Sequence, residues 1–324
     1  MHILEKDIQL GGNLIFVGGS ARSGTTLIQN MLDSHPSILG GPEFLHLPEI
    51  VNVRNSMYRN VDRGWIDQIC TKDSVDARFR TLILDFLIPF LEKHNTELLS
   101  EKTPENALVF PELAELLPKA RFIFVVRDPR AIVASMFQVG QRARKKGAKV
   151  PEYTRNTVEA ITYIRRGLNA GFKAVAQAPG RFLVVRYEDV AQHPEAETKK
   201  ICEFLEVPWD SAMCSPREKT HMGEQAITVK SNEVWYTAAQ YNANPHTDSM
   251  ESWKKILSSQ QQLLVSSEFK NDEYLTNLGY DFSQADMKSL DRFIGTVVNS
   301  QINLIRRIPR VLKRIRKRVN SNNG

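Results

Sequence analysis

LIFVGGSARSGTTL, residues 14–27, decides how this chain is read. Leu14, Ile15, Phe16 and Val17 form a short apolar block between Gly pairs, the pattern of a strand buried on both faces. From Thr25 the pattern turns amphipathic and predicts a helix over residues 25–34. His35-Pro36 ends it, because the residue before a proline disfavours the α region. A Gly/Ser turn feeding a helix N-terminus presents successive backbone N–H groups and the positive end of the helix dipole, a cradle for phosphate or sulfate. Gly19 and Gly24 have the spacing of GxxxxGK[ST], but Thr25 stands where the lysine would be, so the reach of an ATPase to its β and γ phosphates is missing. Arg22 supplies positive charge inside the loop, and Thr25 and Thr26 add hydroxyl donors. The plainer alternative is a strand–turn–helix whose glycines serve only tight packing.

Working outward, strands are predicted at residues 97–100, 121–126 (RFIFVV) and 181–186 (RFLVVR). Helices are predicted over residues 45–58, 77–93, 105–117, 129–137, 154–177 and 195–205. Residues 138–151 read as a polar, Lys/Arg-rich loop, and residues 215–245 show no stable period. Strands alternating with helices predict an α/β domain, a central parallel sheet covered on both faces. Arg127 follows RFIFVV at the carboxyl edge of that sheet, where open α/β folds bind ligands. Ser135 lies eight residues further on, along the next helix. A guanidinium there can form paired, charge-assisted hydrogen bonds to phosphate oxygens. Asp128 is open to two readings: a cap for the next helix, or a Walker-B-like Mg²⁺ ligand.

Hydrophobic residues make up 42% of the 324 residues and charged residues 25%, ordinary for a globular protein with a sizeable core. The net charge of +6 is uneven: residues 305–319 (IRRIPRVLKRIRKRV) hold eight Lys or Arg, and without them 35 basic residues face 37 acidic ones. A nucleic-acid footprint over the body is therefore not expected. Three widely spaced cysteines, Cys70, Cys202 and Cys214, indicate neither a disulfide framework nor a zinc site, and fit a reducing compartment. MHILEKDIQLGG has no long apolar run, which reads as neither secretory signal nor anchor. Leu290, Phe293, Ile294, Val297 and Val298 recur at helical spacing ahead of the basic segment, with Pro309 as an interruption. Residues 285–324 are expected to form a basic amphipathic extension, a peripheral membrane contact or a solvated helix.

FVGGSARSGTTLIQNMLDSHP (residues 16–36) resembles the 5′-phosphosulfate-binding segment of sulfotransferases that use 3′-phosphoadenosine 5′-phosphosulfate (PAPS). FIFVVRDPRAIVASM resembles their second signature, which grips the 3′-phosphate, and the likeness continues through LVVRYEDVAQHPE, FLEVPW and NLGYDF. The tyrosylprotein and glycan-modifying branches are more similar than the cytosolic small-molecule branch. The resemblance implies a three-layer sandwich with a P-loop-like sulfotransferase fold over residues 1–284. It implies sulfuryl transfer from PAPS to an acceptor hydroxyl, release of 3′-phosphoadenosine 5′-phosphate (PAP), and no metal. Arg22, Ser23, Gly24, Thr25, Thr26 and Leu27 would hold the 5′ end, Arg127 and Ser135 the 3′-phosphate, and Tyr187 and Ser231 further parts of the nucleotide. Lys102 matches a lysine on the bridging oxygen, and Glu43 matches the catalytic glutamate of the tyrosylprotein branch; Arg22 would stabilise charge.

Each has an alternative: Lys102 a surface lysine beside Glu101, Glu43 a carboxylate favouring the next helix N-terminus, Tyr187 a packed aromatic, with His46 a spare base. Leu45 replaces an arginine of the tyrosylprotein branch, which counts against a protein tyrosine acceptor; the pocket segments 45–80, 138–155 and 215–250 carry no motif, so carbohydrate, lipid-linked, small alcohol and tyrosine acceptors stay open. Gly40 and Ser100 replace cysteines of its secretory members, in keeping with a cytoplasmic location. Two rival functions are a small-molecule or nucleotide kinase using ATP and Mg²⁺, and a non-catalytic nucleotide-binding scaffold.

Overall fold

Five strands of the computed structural model form one parallel sheet in the order β2-β3-β1-β4-β5. They are β1 (Leu14–Gly19), β2 (Ile38–Gly40), β3 (Leu98–Lys102), β4 (Arg121–Val126) and β5 (Phe182–Arg186). The structure describes residues 5–222, 234–236, 241 and 243–283. Ahead of and between the strands run α1 (Glu5–Ile8), α2 (Thr25–Asp33), α3 (Leu47–Asp62), α4 (Lys72–Lys93), α5 (Phe110–Leu116), α6 (Pro129–Lys145) and α7 (Thr157–Gln177). Two helices, α8 (Tyr187–Gln192) and α9 (Pro194–Leu205), follow β5.

Side chains alternate across a strand, and here each face has its own packing. Ile15, Val17, Ile123, Val125 and Val185 pack with Ile28, Met31 and Leu32 of α2 and Ile201 and Leu205 of α9. On the opposite face Phe16, Phe122 and Phe182 line up across three strands, with centroids 5.6 and 4.6 Å apart. Phe110 of α5 meets Phe122 edge-on at 5.4 Å, and Phe172 of α7 meets Phe124 at 5.2 Å. Burial of each such ring contributes about 1.5–3 kcal/mol. The result is the expected three-layer sandwich, and with both faces covered, ligands have the carboxyl edge of the sheet.

The structure differs from the pattern reading in four places. Residues 138–145 are helical, not loop: Met136, Val139, Gly140 and Ala143 continue the buried stripe of α6, and the Lys/Arg residues occupy its other side. Gly140 is required there, since a Cβ would lie 2.8 Å from the Thr154 carbonyl. The helix expected over 105–117 is a 3₁₀ turn (Pro104–Leu108) followed by α5. Pro111 lacks the N–H that a continuous helix needs at that point. The edge strand β2 was too short to show alternation, and α8 lies directly against β5 without a turn signal between them.

The chain divides into two compact units, Met1–Ile256 and Leu257–Gly324. In the second, helix Ser259–Phe269 begins at a Ser258/Gln261 capping box and helix Glu273–Asn277 follows. Residues 284–324, with the expected basic extension, lie outside the described residues. No helix among the described residues is long and apolar enough to cross a membrane.

Candidate active site

Every strand delivers a residue of the predicted site at its carboxyl end. The loop after β1 carries Arg22 to Thr26; Glu43 follows β2; Lys102 ends β3; Arg127 follows β4; Tyr187 follows β5. The β1 loop turns through two left-handed residues, Arg22 (φ 76°) and Gly24 (φ 105°). A Cβ on Gly24 would fall 2.3 Å from the Tyr187 ring, so glycine is needed for both backbone and space. Gly24 is also the N-cap of α2 and offers no side-chain acceptor, which leaves the first-turn N–H groups to a ligand.

One cleft brings together Arg22, Gly24, Thr26, Leu27, Arg127, Ser135 and Tyr187. Ser23 and Thr25 are buried behind it. Arg22 Nε donates to Ser135 Oγ at 3.1 Å, while Arg127 Nη1 donates to the Arg22 carbonyl at 3.1 Å. The Arg127 guanidinium stacks 4.1 Å over Tyr187. Arg127 Nη2 also donates to Ser249 O at 3.0 Å and Oγ at 3.1 Å. Arg127 Nε and Ser23 Oγ are buried without a hydrogen-bond partner. Leaving such groups unpaired costs about 1–3 kcal/mol each; of the two, Arg127 lines the cleft, and a guanidinium beside an uncapped helix start suits an anionic ligand. Ser231 and its neighbour Lys230 lie outside the described residues.

At the Thr26 end the second cluster begins. Lys102 Nζ donates to Thr26 Oγ1 at 3.3 Å and pairs with Glu43 Oε1. Lys102 is only 4% exposed, so it is not a surface lysine. Burial opposes its charge, but Glu43, with Tyr236 and Tyr241, pushes its pKa above the ordinary lysine value. Glu43 precedes α3, whose N-cap is His46, and its carboxylate goes to Lys102 and not to the helix. His46 sits on the surface and pairs with Glu49.

On the opposite face of β3, Glu101 is buried and accepts from Phe44 N–H at 2.9 Å, Thr103 Oγ1 at 2.7 Å and Asn106 Nδ2 at 2.5 Å. Burial pushes its carboxyl up to about 7, against the lowering effect of those three donors. A folded-state pKa above the unfolded value means stability that is present below about 4.5 and lost as pH rises through about 7. Thermal unfolding of wild type and Glu101→Gln between pH 5 and 8 should therefore show wild type losing ground to the variant as pH rises. A pH-independent difference would show that Glu101 does not titrate there.

Several contributors carried no readable signal. Tyr236 OH lies 2.6 Å from Thr26 Oγ1, with Arg22 stacked 4.4 Å over its ring. Ser249 Oγ reaches Tyr187 OH at 3.0 Å. Tyr163 OH accepts from Ala21 N–H at 3.3 Å and donates to Glu105 at 2.9 Å, bracing the β1 loop from α7. Gln29 ties α2 to the Gly41 and Ser100 carbonyls at 3.2 and 2.9 Å. Asp128 caps α6 and gives both carboxylate oxygens to Arg130, so the helix-cap reading holds and the Walker-B-like one loses its free ligand. Among the described residues no group of three or more His, Cys, Asp or Glu is placed to hold a metal ion.

Comparison with known proteins places the chain in a family. The model of the sulfotransferase family matches residues 14–211. A protein-tyrosine sulfotransferase 1 from Danio rerio is 28% identical over 272 residues, 83% of this chain and 72% of its own length. A protein-tyrosine sulfotransferase from Drosophila melanogaster is 30% identical over 209 residues, 63% of this chain and 40% of its own. In fold, the sulfotransferase domain from the curacin biosynthetic pathway superposes with a TM-score of 0.52 at 21% identity, covering 79% of this chain and 96% of that domain.

Proposed function

Because the chain belongs to the sulfotransferase family, we propose that it transfers a sulfuryl group from PAPS to the hydroxyl of a protein tyrosine by in-line displacement. The observation that carries the proposal is the convergence of Lys102, Glu43 and Thr26 at one end of the cleft with Arg22, Arg127, Ser135 and Tyr187 along it. Sulfuryl transfer, like phosphoryl transfer, places growing charge on the leaving oxygen and on the transferred group. Arg22 and the first amides of α2 would neutralise it. Arg127 and Ser135 would hold the 3′-phosphate, and Tyr187, beneath Arg127 and against Gly24, would orient the nucleotide.

Glu43 would take the proton of the attacking hydroxyl. Its present partner is Lys102, so an arriving hydroxyl would exchange for that contact. Lys102, with its pKa above the ordinary value, stays charged at neutral pH and would act by neutralising the leaving oxygen more than by giving up a proton. The named relatives support a protein tyrosine as acceptor. Leu45, two residues on from Glu43 and 59% exposed, stands where the tyrosylprotein branch has an arginine, so a tyrosine acceptor would be met without that charge.

The test is thermal unfolding with PAP and, separately, with ATP plus Mg²⁺. A ligand at ~100 times its Kd adds about 2.7 kcal/mol, easily read as a melting shift. The expected result is a shift with PAP alone, followed by PAP release when PAPS and a tyrosine peptide are supplied. A shift confined to ATP and Mg²⁺ would overturn the proposal in favour of a kinase.

A further inference from the structure

We infer that Glu101 is a positioning residue for the reaction: through the amide of Phe44 it fixes Glu43 against Lys102. The inference rests on the reading of Glu43 as the base.

Successive residues of β3 point to opposite faces of the sheet. Lys102 shares a side with Ser100, whose Oγ bonds to Gln29 of α2 at 2.5 Å. Glu101 points the other way, is 2% exposed, and has no cation paired with it among the described residues. Burying an unpaired carboxyl is costly, and only its hydrogen bonds offset that cost. Two of the three donors, Thr103 and Asn106, lie just beyond β3 itself. The third, Phe44 N–H, is 57 residues away in sequence and adjacent to Glu43.

Among the described residues the loop between β2 and α3 has few other ties, one of them the Phe44 ring against Phe86 of α4 at 5.3 Å. Gly41 N–H donates to the Ser100 carbonyl at 3.1 Å, Gln29 holds the Gly41 carbonyl, and Leu47 N–H closes back on Phe44 O at 2.9 Å. Beyond Gly41, and among the described residues, the backbone N–H of this loop that bonds to β3 is that of Phe44, to Glu101. One strand end thus carries Lys102 on one side and holds the base-bearing loop with the other. A displacement of about 1 Å at a reacting group can cost ~10²-fold in rate, so releasing Phe44 should act on turnover and leave the nucleotide cleft alone.

The experiment compares Glu101→Ala and Glu101→Gln, each alone and with Glu43→Gln, by turnover, PAP affinity and amide exchange at Phe44. Gln keeps an oxygen that can accept from Phe44 N–H. The expected result is a kcat about 10–100-fold lower in Glu101→Ala, PAP affinity unchanged within about twofold, and Phe44 exchange faster. Glu101→Gln should restore both kcat and protection. In the Glu43→Gln background, Glu101→Ala should cost nothing further, because the two act through one group. A Phe44 amide that stays protected in Glu101→Ala, an additive loss with Glu43→Gln, or a parallel loss of PAP affinity overturns the inference while leaving the proposed function intact. A Glu43→Gln protein with full turnover overturns the reading of the base, and the inference with it.

Discussion

Arg127→Ala should lose the melting shift with PAP and bind that nucleotide about 100-fold more weakly. A hydrogen bond to a charged group is worth about 1.5–3 kcal/mol, and the guanidinium can offer two to one phosphate. Its Nε is buried and unpartnered, and its Nη2 is held by Ser249, a neutral partner that an anion would outbid. Titration calorimetry with PAP and with adenosine 5′-phosphate separates the roles. If Arg127 recognises the 3′-phosphate, the variant weakens PAP strongly and the second ligand hardly at all. An equal loss for both would make Arg127 a support for the β1 loop through the Arg22 carbonyl and remove it from the ligand list.

Lys102→Met and Glu43→Gln should each lower kcat by about 10²–10⁴-fold, the range for removing an acid–base or charge-stabilising group. Their effects on stability should differ. Lys102 is buried whereas the Glu43 side chain is 35% exposed. Lys102→Met keeps the apolar stem and leaves Glu43 able to turn to water, so its melting temperature should stay close to wild type. Glu43→Gln leaves a buried ammonium with its principal counter-charge gone, a change that costs about 3–5 kcal/mol in fully buried pairs and less here, where one partner meets solvent. Unfolding scans and single-turnover rates on the two variants check both halves. Equal destabilisation would mean that the pair is not the asymmetric one the burial indicates, and unaltered turnover in either variant would remove that residue from the mechanism.

What could be read from the chain, and what could not, divides along physical lines. The apolar block before Gly18 and the lysine-free loop through Arg22 and Thr26 were legible as a candidate anion cradle, because such a cradle is built from neighbouring backbone amides and side chains within one strand–turn–helix, whereas Ser135 was named through the family resemblance. Alternation of strands with helices determined a parallel sheet with covered faces for the same local reason. The extension of α6 to Lys145 was hidden by charged residues on its outer side, although its buried stripe was present at Val139, Gly140 and Ala143.

Lys102 and Glu43 were found as candidates by resemblance, and nothing in the sequence distinguished a surface lysine or a helix cap from a buried pair. Only the order β2-β3-β1 places the ends of β2 and β3 side by side and joins them across 59 positions. Glu101, Tyr236 and Ser249 had no motif at all, since the site residues they meet, Phe44, Thr26 and Arg127, lie far along the chain. Local groups of the site were therefore determined by sequence. Which charges are buried, which are paired and what holds them was decided by the tertiary structure, because burial and pairing depend on which strand ends the parallel sheet brings together.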